Sequence, residues 1–174
     1  MKKAEGQNKS PVVGIVMGSD SDWGVMEKAV SVLNQLNIPF DVTVSSAHRS
    51  PDRTADYARS ARAKGLRVII AGAGAAAHLA GSIAALTTLP VIGVPIDSSP
   101  IKGGLDALLA TVQMPSGVPV ATMAIGAAGA KNAAILAAQI LATSDPAIEG
   151  RLEQFKKEMA DQVAQKAETL HKNV

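Results

Sequence analysis

Unbroken apolar runs alternate along this chain with stretches in which apolar residues return every three or four positions. Pro11 to Met17 is the first run, of the kind a strand buried on both faces requires. From Asp22 to Leu36, Val25, Met26, Ala29, Val30, Leu33 and Leu36 recur at helical spacing, until Asn37 and Pro39 stop the helix. Phe40 to Val44 restarts extended structure, and a polar loop from Ser45 leads to Pro51, suited to a first helical turn. That helix runs from Asp52 to Lys64 and ends at Gly65. Arg67 to Ala71 and Val91 to Val94 read as the third and fourth strands, with a small-residue helix between them running towards Thr88. Leu105 to Val112 reads as a short helix and Val118 to Ala124 as a fifth strand. Ala127 to Ala142 is an alanine-rich helix, and a charged amphipathic helix follows Pro146, from Ala147 to about Leu170.

Strands and helices in strict alternation, joined by short connections, imply right-handed crossovers and a parallel sheet covered on both faces. The expected fold class is α/β: a three-layer αβα arrangement around a flavodoxin-like or Rossmann-like parallel sheet of five strands, with an extra C-terminal helix. Residues 1–10 read as a short disordered tail and 11–174 as a single domain.

Composition sharpens this picture in two places. Hydrophobic residues make up 47% of the chain and aromatics only 2%, so Ala, Val, Ile and Leu must build the core. Alanine-rich surfaces of that kind favour burial between subunits, which makes a homo-oligomer the expectation. With no cysteine, disulfide and thiolate chemistry are excluded. A net charge of +2, without a basic stripe interleaved with aromatics, argues against nucleic acid as a partner. The polar start lacks the apolar core of a signal peptide, and the apolar runs are too short for a bilayer. A cytoplasmic protein without membrane association is expected.

In a sheet of this type the ligand sits beyond the carboxyl ends of the strands, so the contents of the loops there can be pooled. The first loop offers Ser19, Asp20, Ser21 and Asp22; the second Ser46, His48 and Arg49; the third Gly72, Gly74 and His78; the fourth Asp97, Ser98, Ser99 and Lys102. A carboxylate such as Asp20 or Asp22 suits a ribose diol, although either residue also suits a helix cap. Histidine titrates near neutrality and arginine forks onto phosphate, so His48 beside Arg49 reads as a proton carrier with an anion anchor. Alternatively, Arg49 would pair with Asp52 on the surface. Gly72 to Ala77 also fits a G-x-G-x-x-A dinucleotide fingerprint with Asp97 about twenty residues on, but in the third βα unit rather than the first. Metal ligation lacks a recognisable spacing, and no G-x-S-x-G elbow is present for a serine hydrolase.

The segments Met17 to Trp23, Ser46 to Pro51, Ala71 to Leu79, Met114 to Val120 and Ala124 to Gly126, in this order, closely resemble the PurE family of purine biosynthesis. The resemblance spans residues 11–145. It implies an isomerase that moves a carboxylate from the exocyclic nitrogen of N5-carboxyaminoimidazole ribonucleotide to carbon 4 of the imidazole, without metal or other cofactor. Asn132 to Ala138 resembles the bacterial mutase class; the alternative is the carboxylase that uses free carbon dioxide. A dinucleotide- or flavin-binding module is the reading outside the family. By position, the resemblance implies that His48 and His78 are catalytic. It places Ser19, Asp22, Ser46, Ala47, Arg49, Gly72, Ala73, Gly74 and Leu79 at the ribonucleotide, with phosphate on Ser19 and Arg49. It also implies a homo-octamer. Three places depart from the family pattern: Ser50, where threonine is common, Ala80 to Ser82, and Asp97 to Gly104.

Overall fold

The computed structural model describes residues 10–99, 101 and 103–172. Five strands form one sheet: β1 (Val13–Met17), β2 (Phe40–Val44), β3 (Val68–Gly74), β4 (Val91–Ile96) and β5 (Ala121–Thr122). Their order is β2-β1-β3-β4-β5, and every pairing is parallel. This is the flavodoxin-like winding. Six helices connect and follow the strands: α1 (Trp23–Gln35), α2 (Pro51–Ser60), α3 (Leu79–Ala84), α4 (Leu105–Val112), α5 (Ala127–Ala142) and α6 (Pro146–His171).

The two faces of the sheet are covered by different means. On one side α1, α5 and the start of α6 close over Val13, Ile15, Met17, Val68, Ile70, Ile92 and Val94. Here α5 presents Ala130, Ala133, Ala134, Ala137 and Ala138, all fully buried. Side chains this small let the helix lie close to its neighbours, so the alanine surface expected to await another subunit is buried within the chain. On the other side Tyr57, Ala58, Leu79, Ala80 and Ile83 pack on Val16, Ile69, Ala71 and Val91.

Several boundaries differ from the sequence expectation for identifiable reasons. β5 covers only Ala121–Thr122 rather than Val118 to Ala124, since Pro119 has no N–H to give to a ladder and the strand lies at the sheet edge. The α2 helix stops at Ser60, and residues 61–65 turn onto Gly65, which has φ +90°. The α3 helix ends at Ala84 instead of reaching Thr88. β3 runs on to Gly74, so Gly72 and Gly74 belong to a strand, not to a loop. Apart from Ser10, the expected tail lies outside the described residues. No described helix is long and apolar enough to cross a membrane.

Candidate active site

Three strand ends lie level with one another: Met17 of β1 pairs with Val44 on one side and with Gly72 on the other. The chain leaves β1 towards β2, while β3 lies on the opposite flank, so the loops beyond diverge and leave a crevice. A cavity of about 330 Å³ occupies that crevice. Its walls are Gly18, Ser19, Ser21 and Asp22 from the first loop, Ser46 to Arg49 from the second, Ala73, Gly74, Ala76 and Leu79 from the third, and Ser98 from the fourth.

The first loop is built around its own hydrogen bonds. The Ser19 hydroxyl accepts from the Ser21 N–H at 3.4 Å, and Asp22 Oδ2 accepts from the Ser19 N–H at 3.0 Å, a reciprocal cap on a short helical turn. Asp20 Oδ1 accepts from the Ser19 hydroxyl and the Ser21 N–H. Both aspartates are therefore engaged locally, whereas one was expected to cap and the other to be free. Asp22 is only 4% exposed. Burial pushes its carboxyl above the ordinary value of 3.8; the Ser19 N–H opposes this, nearby Asp20 adds to it and Arg49 offsets part of it.

In the second loop Arg49 Nε and its backbone N–H both donate to Ser46 Oγ, and Nη2 donates to the Gly18 carbonyl at 3.3 Å. The guanidinium thus bridges two loops across the crevice instead of pairing with Asp52. His48 is exposed at the cavity edge, and its Nε2 lies 2.9 Å from His78 Nδ1. The rings meet edge to face, with centroids 5.0 Å apart and planes at 78°. One ring must donate and the other accept, and which does so depends on their tautomers.

His78 stands at the N-cap of α3. The turn that brings it there passes through Ala75, whose φ of +51° lies in the left-handed region. The glycines before it answer to crowding. A Cβ on Gly72 would lie 2.4 Å from Met26 Sδ, and one on Gly74 would lie 1.7 Å from Ser98 Oγ and 2.8 Å from the Ile96 carbonyl oxygen. These positions explain the glycines without a dinucleotide, since neither forms the phosphate-facing turn that fingerprint needs.

Of the residues expected at the site, Ser19, Asp22, Ser46, Ala47, His48, Arg49, Ala73, Gly74 and Leu79 line the cavity. Gly72 lies behind the wall, and His78 joins through His48. Gly18, Ser21, Ala76 and Ser98 are additional lining residues; Ser21 and Ser98 were among the pooled loop residues, without an assigned role. Among the described residues, no three His, Asp or Glu side chains gather as metal ligands would. A wider cleft of about 490 Å³ opens between β2 and α2, lined by Asp41, Thr43, Arg53, Tyr57 and Lys64 among others. It holds no histidine, and its Arg53 is committed to the Val44 carbonyl and the Thr43 hydroxyl.

Comparison with known proteins adds four findings. The family described as AIR carboxylase matches residues 12–162. The chain is 52% identical over 164 residues to the N5-carboxyaminoimidazole ribonucleotide mutase of Pyrococcus horikoshii, covering 94% of this chain and 91% of that protein. It is 53% identical over 164 residues to the phosphoribosylaminoimidazole carboxylase of Schizosaccharomyces pombe, again over 94% of this chain but only 29% of that longer protein. The crystal structure of Treponema denticola PurE superposes with a TM-score of 0.82 at 27% identity, covering 92% of this chain and 98% of that one.

Proposed function

The chain belongs to the AIR carboxylase family, and from that premise we propose that it is an N5-carboxyaminoimidazole ribonucleotide mutase of purine biosynthesis. The observation that carries this reading is the His48–His78 pair, set beside Arg49 at the mouth of the crevice between β1 and β3. A ribonucleotide needs an anion anchor, a diol acceptor and a proton carrier within one small cavity. Arg49 spends two N–H groups on Ser46 and Gly18, which fixes its fork and leaves the others for a phosphate. Ser19 stands beside it, and buried Asp22 is the acceptor for ribose hydroxyls.

The reaction is an isomerisation and needs no external oxidant or reductant. The bond from the exocyclic nitrogen to its carboxylate breaks, releasing carbon dioxide into the crevice, and His48 delivers a proton to that nitrogen. Carbon 4 of the ring then attacks the trapped carbon dioxide, and His48 takes back the proton from carbon 4. One imidazole carries one proton out and back, and His78 orients it through the shared hydrogen bond. Ala73, Gly74 and Ala76 give walls without bulk, so that carbon dioxide is held against the ring instead of escaping.

Replacing His48 with Asn tests the assignment. Ligand affinity is expected to change by less than about tenfold, whereas turnover falls by a factor of at least about 10². Near-normal turnover in that variant would remove His48 from the chemistry. The carboxylase that uses free carbon dioxide is the second reading, favoured by equal similarity to the Schizosaccharomyces pombe protein. Supplying the N-carboxylated ribonucleotide, or aminoimidazole ribonucleotide with bicarbonate, to purified protein separates the two. Conversion of the first substrate at far lower concentration supports the mutase.

The assembly belongs to the same proposal. Leu105, Leu109 and Val112 form an exposed apolar stripe on α4, and Met159, Val163 and Leu170 are exposed on the far half of α6. We take these faces as the contacts of a homo-oligomer, with the octamer as the form the family resemblance implies, working in the cytoplasm.

A further inference from the structure

Ser50 occupies the N-cap of α2, where a serine ordinarily offers its hydroxyl to the first free N–H groups of the helix. It does not do so here. Its Oγ donates to the Ser46 carbonyl at 3.0 Å and accepts from the Ser46 N–H at 3.1 Å, while the Ser50 N–H donates to the same carbonyl at 2.8 Å. Three hydrogen bonds thus tie residue 46 to residue 50 and close a five-residue loop, with His48 at its centre.

Beneath the loop lies a second polar device. Ser45 and Thr54 are each 2% exposed, and their hydroxyls are 2.8 Å apart. Thr54 Oγ1 donates to the Ser50 carbonyl at 3.2 Å. A threonine hydroxyl has a single proton, so with that proton on Ser50 the Ser45 hydroxyl must be the donor to Thr54. The order is therefore fixed: Ser45 to Thr54 to the Ser50 carbonyl. Ser45 is in turn fixed to the sheet, its N–H donating to the Met17 carbonyl at 2.9 Å. Two buried hydroxyls add nothing to apolar packing, and their burial costs stability unless both are bonded. Their arrangement joins the end of β1 to the base of the His48 loop.

We propose that Thr54 and Ser50 are positioning residues for the reaction: the hydroxyl chain sets the height of the loop on the sheet, and the Ser46–Ser50 clamp sets its shape, so that His48 meets both His78 and the ligand. Neither hydroxyl touches the ligand; each acts through His48. This inference rests on the assignment of His48 as the proton carrier. A displacement of about 1 Å at such a group is enough to slow the chemical step by about 10²-fold.

Four variants of the full chain test it: Thr54→Val and Ser50→Ala, which remove the hydroxyls, and Thr54→Ser and Ser50→Thr, which keep them. The first two are expected to lower kcat by about 10- to 100-fold with KM within about threefold of the parent, and the second two to stay within about threefold in both. Unchanged kcat in Thr54→Val or Ser50→Ala overturns the inference. So does a loss confined to KM, or a loss that the hydroxyl-keeping variants share. If Thr54→Val does not fold, the half-buried Ser50 pair decides alone. Histidine ring signals in ¹⁵N-labelled protein separate this inference from the functional assignment, with His171 as internal control. Should the parent enzyme fail to turn over the mutase substrate, a shift of the His48 and His78 signals in Ser50→Ala still supports positioning, and unmoved signals overturn it.

Discussion

Asp22 shows how a single side chain can be held against its own preference. Burial raises its carboxyl above the ordinary 3.8, so ionisation costs the folded state more than the unfolded one. The favourable contribution of the protonated form is complete below pH 3.8 and is lost as pH rises through the raised value. At neutrality the folded protein therefore carries the cost. Asp22→Asn keeps an oxygen for the Ser19 N–H and removes the charge, so it is expected to raise the melting temperature at pH 7. At pH 3.5 the gain should vanish, which parallel thermal melts at the two pH values check. The same variant is expected to weaken substrate binding, as fits a carboxylate retained for a ligand. The sequence made Asp22 and His48 legible as candidates because loops beyond parallel strands converge. It did not reveal the His48–His78 bond. That contact depends on Ala75 at φ +51°, and an alanine in the left-handed region leaves no pattern to read.

Between elements, the contact of α2 with β1 turns on Gly14 and Tyr57. A Cβ on Gly14 would lie 2.1 Å from Tyr57 Oη and 2.9 Å from Leu66 Cδ1. The phenol oxygen is buried without a hydrogen-bond partner among the described residues, and burial, aided by Asp41, pushes its pKa upward. Gly14→Ala is expected to destabilise by about 1–3 kcal/mol through overpacking. In a Tyr57→Phe background the cost should fall, since the nearest obstructing atom is gone; denaturant unfolding of the two singles and the double reads the coupling. Equal costs in both backgrounds would show that Tyr57 is not the obstruction. The elements themselves were largely visible in advance. β1, β3 and β4 are continuous apolar runs because helices cover both their faces, and α1 and α5 carry helical periodicity because each has one buried side. β5 was overestimated. Its apolar residues look like those of a strand, but an edge position and Pro119 limit the ladder to two residues.

For the molecule as a whole, apolar residues are left exposed on α4 and on the far half of α6. Leu109 lies between Leu105 and Val112 on a single helix face, and all three are about half exposed. A contiguous apolar stripe of this kind on a folded chain marks a contact surface. Light scattering of the purified protein is expected to give a mass several times that of one chain, and Leu109→Asp to reduce it with the far-ultraviolet circular dichroism unchanged. A monomeric parent protein would refute the assembly. Composition pointed to buried alanine, but it could not say that α1 of the same chain would cover α5. The surface that remains open is made of leucine and valine instead.

The histidine pair also bears on the order in which the chain acquires its shape. His48 and His78 are 30 residues apart and belong to two successive βα units. Strands β1, β2 and β3 must all be in register before the two rings can meet, because the ends of β2 and β3 are aligned only through Met17 of β1. No single hairpin or local turn can produce that alignment, so the contact carries the loop-closure entropy of both crossovers. A nascent or partly unfolded chain can therefore contain every helix of the native protein and still lack the His48–His78 contact. The contact forms only once these three strands are in place.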